Sequence, residues 1–231
     1  MSSLKRAVSI PAAFGGAVAL AVYPAPAAAA DEDVQAWTVL QASRPISERW
    51  VFNLDTQARF NEDAGRLGQF VLRPSIGWRL DGTRTLSLGY VYNRSSQLGR
   101  APVHEHRIWQ QLAFRIAGDG RGPTLTGRTR LEQRRVENRE GAGWRLRQQL
   151  RFTAPLAGEV RGVVTTEPFI GLNGTAWGQR DGLAAWRSFA GVSIPVSPTL
   201  AVEPGYLHQH TFRPGEDAVI HAASVTLTVQ F

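Results

Sequence analysis

Cysteine is absent from this chain of 231 residues, methionine occurs once, and Lys5 is the only lysine. Without cysteine there is neither a disulfide framework nor a thiolate metal site. Long apolar runs are missing as well. A membrane-spanning helix needs about 20 consecutive apolar residues, and nothing after residue 30 approaches that. No stretch there sustains a helical period either. Acidic residues are few: 19 Asp and Glu stand against 26 Lys and Arg, a formal net charge of +7. Such a balance ordinarily raises nucleic acid as a partner. Here the basic residues follow strand periodicity instead of clustering, and the chain opens like an exported protein, so nucleic acid is not expected. The lysine shortage makes nearly every permanent positive charge a guanidinium. Codon usage accounts for this, and so does the suitability of planar, always charged guanidinium for buried ion pairs.

Residues 1–30 read as an export signal. Lys5 and Arg6 form a short basic start, Ala7 to Val22 are apolar or small, and a run of alanines leads into Asp31. A membrane anchor would need a longer run, unbroken by Pro11 and Gly15-Gly16. Cleavage is expected near Ala30, leaving residues 31–231 as one domain.

What the remaining chain contains is alternation. Trp50, Phe52, Leu54, Thr56, Ala58 and Phe60 oppose Asn53, Asp55, Gln57 and Arg59. Phe70, Leu72, Ile76 and Trp78 oppose Gln69, Arg73, Ser75 and Arg79, and the pattern recurs over 85–93 and 105–115. It is clearest from Thr124 to Thr153. There Arg128, Arg130, Glu132 and Arg134 share one parity, and Arg145, Arg147, Gln149 and Arg151 answer them against Trp144, Leu146, Leu150 and Phe152. Successive strand side chains point to opposite faces, so this is a hairpin with one apolar and one guanidinium-lined face. Segments of about ten alternating residues, separated by turns, are the signature of an outer-membrane barrel. Trp37 to Ser43 and four segments after residue 159 are less clean.

Connections alternate too. RPISER, DGTR, AGDGRGP, APLAGE and PVSPT are turn-like, whereas 61–68, 94–104, 136–143, 172–185 and 210–218 are longer and polar. Aromatics gather near the segment ends, as membrane interfaces favour. The last strand ends on Phe231, a pattern resembling the signal read by the barrel insertion machinery. The expected fold is an all-β antiparallel transmembrane barrel. Eleven segments can be counted, but single-chain barrels normally use even numbers, so twelve strands are expected, with ten as the alternative. Pro74, Pro168 and Pro204 fall inside segments, where each removes a ladder donor. They mark either bulges or misplaced boundaries.

The blocks DEDVQAWTVL, RFNED, EHRIWQQL, RTRLEQR, RLRQQLRF and EPFIGLN, with the end in Phe231, together resemble a bacterial family known only as a domain of unknown function. The resemblance covers nearly all of residues 31–231. It implies an outer-membrane barrel and carries over no catalytic residue.

Parity assigns a lumen charge network of Glu105, Arg107, Arg128, Arg130, Glu132, Arg134, Arg145, Arg147, Arg151, Glu167 and Arg187, with Arg59, Arg73, Asp55 and Glu203 on the same lining. It reads either as a packed network that carries nothing or as an anion-attracting wall, as Arg rings are in anion pores. In both, Glu132 is an ion-paired carboxylate. Of the histidines, His104, His106 and His208 have outward parity, which argues against a metal site. Ser95 and Ser96 precede His104 and His106, so a Ser–His hydrolase site at the rim is the competing class. The expected function is a non-enzymatic envelope barrel, structural or a narrow anion-favouring channel. Its partners are membrane lipids and the insertion machinery, and it needs no cofactor or metal.

Overall fold

In the computed structural model, which describes residues 30–231, eleven strands close into a barrel. The expected export signal lies, but for its last residue, outside the described residues. The strands are β1 (Asp31–Pro45), β2 (Trp50–Asn61), β3 (Arg66–Arg79), β4 (Arg84–Ser95), β5 (Val103–Ala117) and β6 (Thr124–Val136). They continue as β7 (Gly143–Ala157), β8 (Val160–Gly171), β9 (Gly182–Ser197), β10 (Leu200–Thr211) and β11 (Ala218–Gln230). Each pairs antiparallel with its neighbours in sequence, and the closing pair, β1 with β11, is parallel.

That closure corrects the strand count, which is eleven and not twelve or ten. An all-antiparallel ring needs an even number of strands, because directions must alternate all the way round. One parallel pair removes that requirement. The first segment is also a full strand, not the short Trp37 to Ser43. It runs in register with β11 from Asp31↔Ala218 to Ser43↔Gln230.

The three prolines correct a second expectation. Each lies inside a strand, and the register passes it without a shift. Leu72 pairs Tyr92 and Ser75 pairs Gly89, with no pairs between them around Pro74. The same one-sided lapse accompanies Pro168 along β7 and Pro204 along β9. A missing N–H breaks one ladder locally and leaves the opposite edge of the strand free to pair. Register shifts occur away from Pro74 and Pro204, as at Arg59/Phe60, but one lies a residue beyond Pro168, at Phe169/Ile170.

The connections are shorter than the sequence implies, because strands reach further. The loop expected over 61–68 is a four-residue link between Asn61 and Arg66. Its residues Glu62, Asp63 and Ala64 are all left-handed, with φ of 54°, 56° and 61°. On the other rim, the Asp81 carboxylate accepts from the backbone N–H groups of Thr83 and Arg84 and from the Thr83 hydroxyl. These bonds, with the guanidinium of Arg84, hold it well below the usual carboxylate range.

Facing follows the alternation. Leu72, Leu86, Leu88, Ile108, Leu150 and Val164 are exposed on the outside. Trp50 and Trp78, paired across β2 and β3, meet there in a tilted arrangement with centroids 5.2 Å apart. The buried residues lie in the lumen, in one cluster around Trp37, Val163, Phe189 and Leu207 and another of Val71, Val91 and Trp109. Two places require glycine for close approach. A Cβ on Gly89 would stand 2.3 Å from the Trp109 ring, and one on Gly205 would stand 2.5 Å from the Phe189 ring.

Candidate functional site

The lumen is where the polar chemistry collects. In the β6–β7 hairpin Glu132 pairs Arg145, and Arg130 stands directly opposite Arg147. Like charges opposite one another are destabilising, and carboxylates relieve them. Glu132, wholly buried, accepts from Arg147 Nη1 at 3.0 Å and from Arg145 through Nε at 2.9 Å and Nη2. Arg107 and Arg130 come within 3.9 Å of it. Glu167, 2% exposed, takes Arg147 Nη2 at 2.8 Å and Arg128 Nη2 at 2.6 Å. Arg147 therefore bridges two buried carboxylates. Glu105 accepts a bidentate pair from Arg107 at 2.9 and 2.7 Å, and Arg134 Nε at 2.5 Å.

Glu105, Arg107, Arg128, Glu132, Arg134, Arg145, Arg147 and Glu167 thus form one connected chain of ion pairs. Arg151 stands apart, paired across the lumen with Glu203 at 3.0 and 2.5 Å, and Arg73 pairs Asp55 at 3.1 Å. Arg130 joins at the same 3.9 Å from Glu132 as Arg107 does, whereas Arg187 does not join as expected. Arg130 bonds Gln111 at 2.9 and 2.6 Å, and its Nη1 is buried without a hydrogen-bond partner. Arg187 bonds Gln209 at 3.0 and 2.5 Å. Guanidinium groups outnumber carboxylates throughout the lining.

Sequence reasoning missed what lies under the arginines. Arg59 stacks 3.8 Å over Trp37, Arg130 4.2 Å over Trp109 and Arg147 4.3 Å over Phe169. Arginine favours such aromatic faces. The signal was available, since Trp37, Trp109 and Phe169 share parity with their polar neighbours. Gln179 had none. It sits in the connection between β8 and β9, which folds into the mouth, and is 7% exposed. Its Oε1 accepts from Arg134 at 3.0 Å, and its Nε2 donates to the Trp144 carbonyl at 2.9 Å.

Two cavities flank this layer. One of about 770 Å³ opens at the rim of the longer connections, and one of about 400 Å³ lies towards the tight turns. Arg73 lines both.

The rim residues separate. Ser95 and Ser96 line the larger cavity. His104 and His106 face outward, and their Nδ1 atoms meet the hydroxyls of Tyr92 at 2.7 Å and Tyr90 at 2.5 Å. The Ser–His pair is not assembled. Among the described residues no cluster of three His, Asp or Glu has metal-ligating geometry.

The profile of a family described as "Protein of unknown function (DUF2490)" matches residues 34–219. The chain belongs to this family. The matched residues fold here as part of the closed barrel. An uncharacterized protein of Methylorubrum extorquens is 36% identical over 158 residues, 67% of this chain and 69% of that protein. The crystal structure of the siderophore receptor PirA from Pseudomonas aeruginosa aligns at 12% identity with a TM-score of 0.28. That alignment covers 72% of this chain and 32% of the receptor, so the chain spans about a third of its length.

Proposed function

We propose that this protein is a non-enzymatic outer-membrane barrel whose lumen is closed to bulk solute by a layer of ion pairs. The observation that carries the reading is the placement of Glu132 and Glu167, buried and bridged by Arg147 between two cavities. A lumen built for free flow would leave such carboxylates wet. The membrane part rests on the reversed facing, with leucines, valines and tryptophans outside and charges inside. Soluble proteins rarely expose apolar patches beyond a few hundred Å², whereas a lipid-facing band needs them. Lipid is then the partner of the outer face, and β11, followed by Phe231, engages the insertion machinery. The opposite facing of Ser95 and His104 supports the non-enzymatic reading.

Cell fractionation tests location. The protein should sediment with outer membranes and migrate heat-modifiably on gels, and recovery in osmotic-shock fluid would refute the reading. Purified protein should show no turnover in a lipid hydrolysis assay, and steady turnover would restore the enzymatic class. One observation favours a second reading, a narrow anion path. Arg73 is a wall of both cavities, so the layer is thin at that point. A planar bilayer separates the two. The closed barrel gives no steady conductance, whereas the path gives a small anion-selective one that Arg130→Gln weakens.

A further inference from the structure

On the wall of the larger cavity, two arginines converge on one tryptophan. Arg59 stands 3.8 Å and Arg187 5.0 Å from the Trp37 ring. Their neighbours Arg107, Arg134, Arg145 and Arg147 are each ion-paired with Glu105, Glu132 or Glu167. Among the described residues, neither Arg59 nor Arg187 has a carboxylate within ion-pair distance.

Glutamines hold them instead. Arg59 donates to Gln69 Oε1 and Gln57 Oε1, both at 2.6 Å. Arg187 directs Nε and Nη2 to Gln209 Oε1. A glutamine carbonyl orients a guanidinium and leaves its full charge in place. Nε of Arg59 is buried without a partner. Two like charges over one indole repel each other, and a low-dielectric wall screens that repulsion poorly. The aromatic face offsets only part of it. Nothing in the packing requires such an arrangement, because a further glutamate in place of Gln69 or Gln209 would relieve it.

An anion between the two guanidinium groups relieves it equally well. The planar fork of arginine matches carboxylate and phosphate oxygens in a bidentate manner. The surroundings also suit a small organic solute. The cavity, about 770 Å³, lies within the range of small-molecule sites. Trp37 and Phe169 give it apolar wall, and Gln35 and Asn93 supply neutral hydrogen-bonding groups.

We propose that this vestibule binds a small oxyanion, a phosphate- or carboxylate-bearing solute, with Arg59 and Arg187 as the clamp and Trp37 as its floor. The inference needs only a lumen open at the rim of the longer connections. It holds whether or not the barrel conducts, and whichever membrane it occupies.

Calorimetric titration of the full barrel in detergent, at fixed ionic strength in sodium chloride, tests it. The probes are inorganic pyrophosphate and citrate. At least one should bind saturably at one site per chain. Arg59→Gln and Arg187→Gln should each weaken that binding by about tenfold or more, the scale of a hydrogen bond to a charged group. Arg100→Gln, in the exposed loop before β5, should bind as the unaltered protein does. Without ligand the double variant should melt at a higher temperature, because a repulsion is gone, and the probe should no longer raise its Tm. If the double variant does not assemble, Arg187→Lys carries the test, since it keeps the charge and loses the fork, and its binding must weaken. Saturable binding of neither probe overturns the proposal. So does binding that the arginine variants leave unchanged.

Discussion

Replacing Glu132 by glutamine keeps the shape of the side chain and removes one negative charge from the most buried point of the lumen. The consequence falls unequally on its partners. Arg147 retains Glu167 at 2.8 Å. Among the described residues, Arg145 has Glu132 as its only carboxylate in ion-pair contact, so it becomes an unpaired buried charge. Two unit charges 4 Å apart interact by roughly 4 kcal/mol at an effective dielectric near 20. Breaking a buried pair by removing one partner costs about 3–5 kcal/mol, and Glu132→Gln should fall in that range. Glu203→Gln is the control. Its partner Arg151 is 34% exposed at the side chain, so solvent screens the lost charge and the cost should stay below about 1 kcal/mol. The orphan can also be removed. Glu132→Gln with Arg145→Gln should be more stable than Glu132→Gln alone, although it lacks one more ion pair. Urea unfolding of the refolded barrel in detergent, followed by tryptophan fluorescence and gel migration, measures all three. Equal midpoints for Glu132→Gln and Glu203→Gln would refute the reasoning, as would a double variant no better than the single. Either result would mean a wet lumen in which the layer does not exclude solvent.

Facing is tested by Leu72→Arg or Leu150→Arg, which put a charge on the outer surface. Each should cost about 2–4 kcal/mol on folding into lipid if it lies near the midplane, whereas Ser75→Arg, on the wall of the smaller cavity, should be tolerated better; equal effects would reverse the in/out assignment. The parallel closure predicts that Leu40→Cys with Leu227→Cys, register partners in β1 and β11, forms an oxidative cross-link in this cysteine-free chain, and absence of the link would argue for a different closure. Asp81 titrates below an ordinary carboxylate because its turn bonds favour the charged form. Its contribution is therefore present above the unfolded pKa near 4 and disappears as pH falls below that value, so Asp81→Asn should flatten the acid limb of a stability-against-pH curve, and an unchanged limb would count against the turn.

A period of two is local information. It follows from the geometry of an extended backbone, so the face of Arg128, Arg130, Glu132 and Arg134 could be read along the chain without knowing any partner. The same parity that puts Leu72 and Leu150 outside puts Arg73 and Arg151 inside. Even the composition of the lining, with arginine in excess of carboxylate, was legible. The closing pair was not, because β1 and β11 meet only after the sheet has curled through every intervening strand. Nor was the choice of partners. Arg128 reaches Glu167, Arg151 reaches Glu203 and Arg134 reaches Gln179 across 39, 52 and 45 residues of chain. Those separations become short distances through the curvature and stagger of the closed barrel, which no single strand encodes. For the same reason the sequence showed an arginine surplus without showing where it lay. Glu105, Glu132 and Glu167 fall within reach of Arg107, Arg145 and Arg147, while Arg59 and Arg187 are left with glutamines over Trp37. Alternation sets the side of the wall, and closure sets what stands opposite.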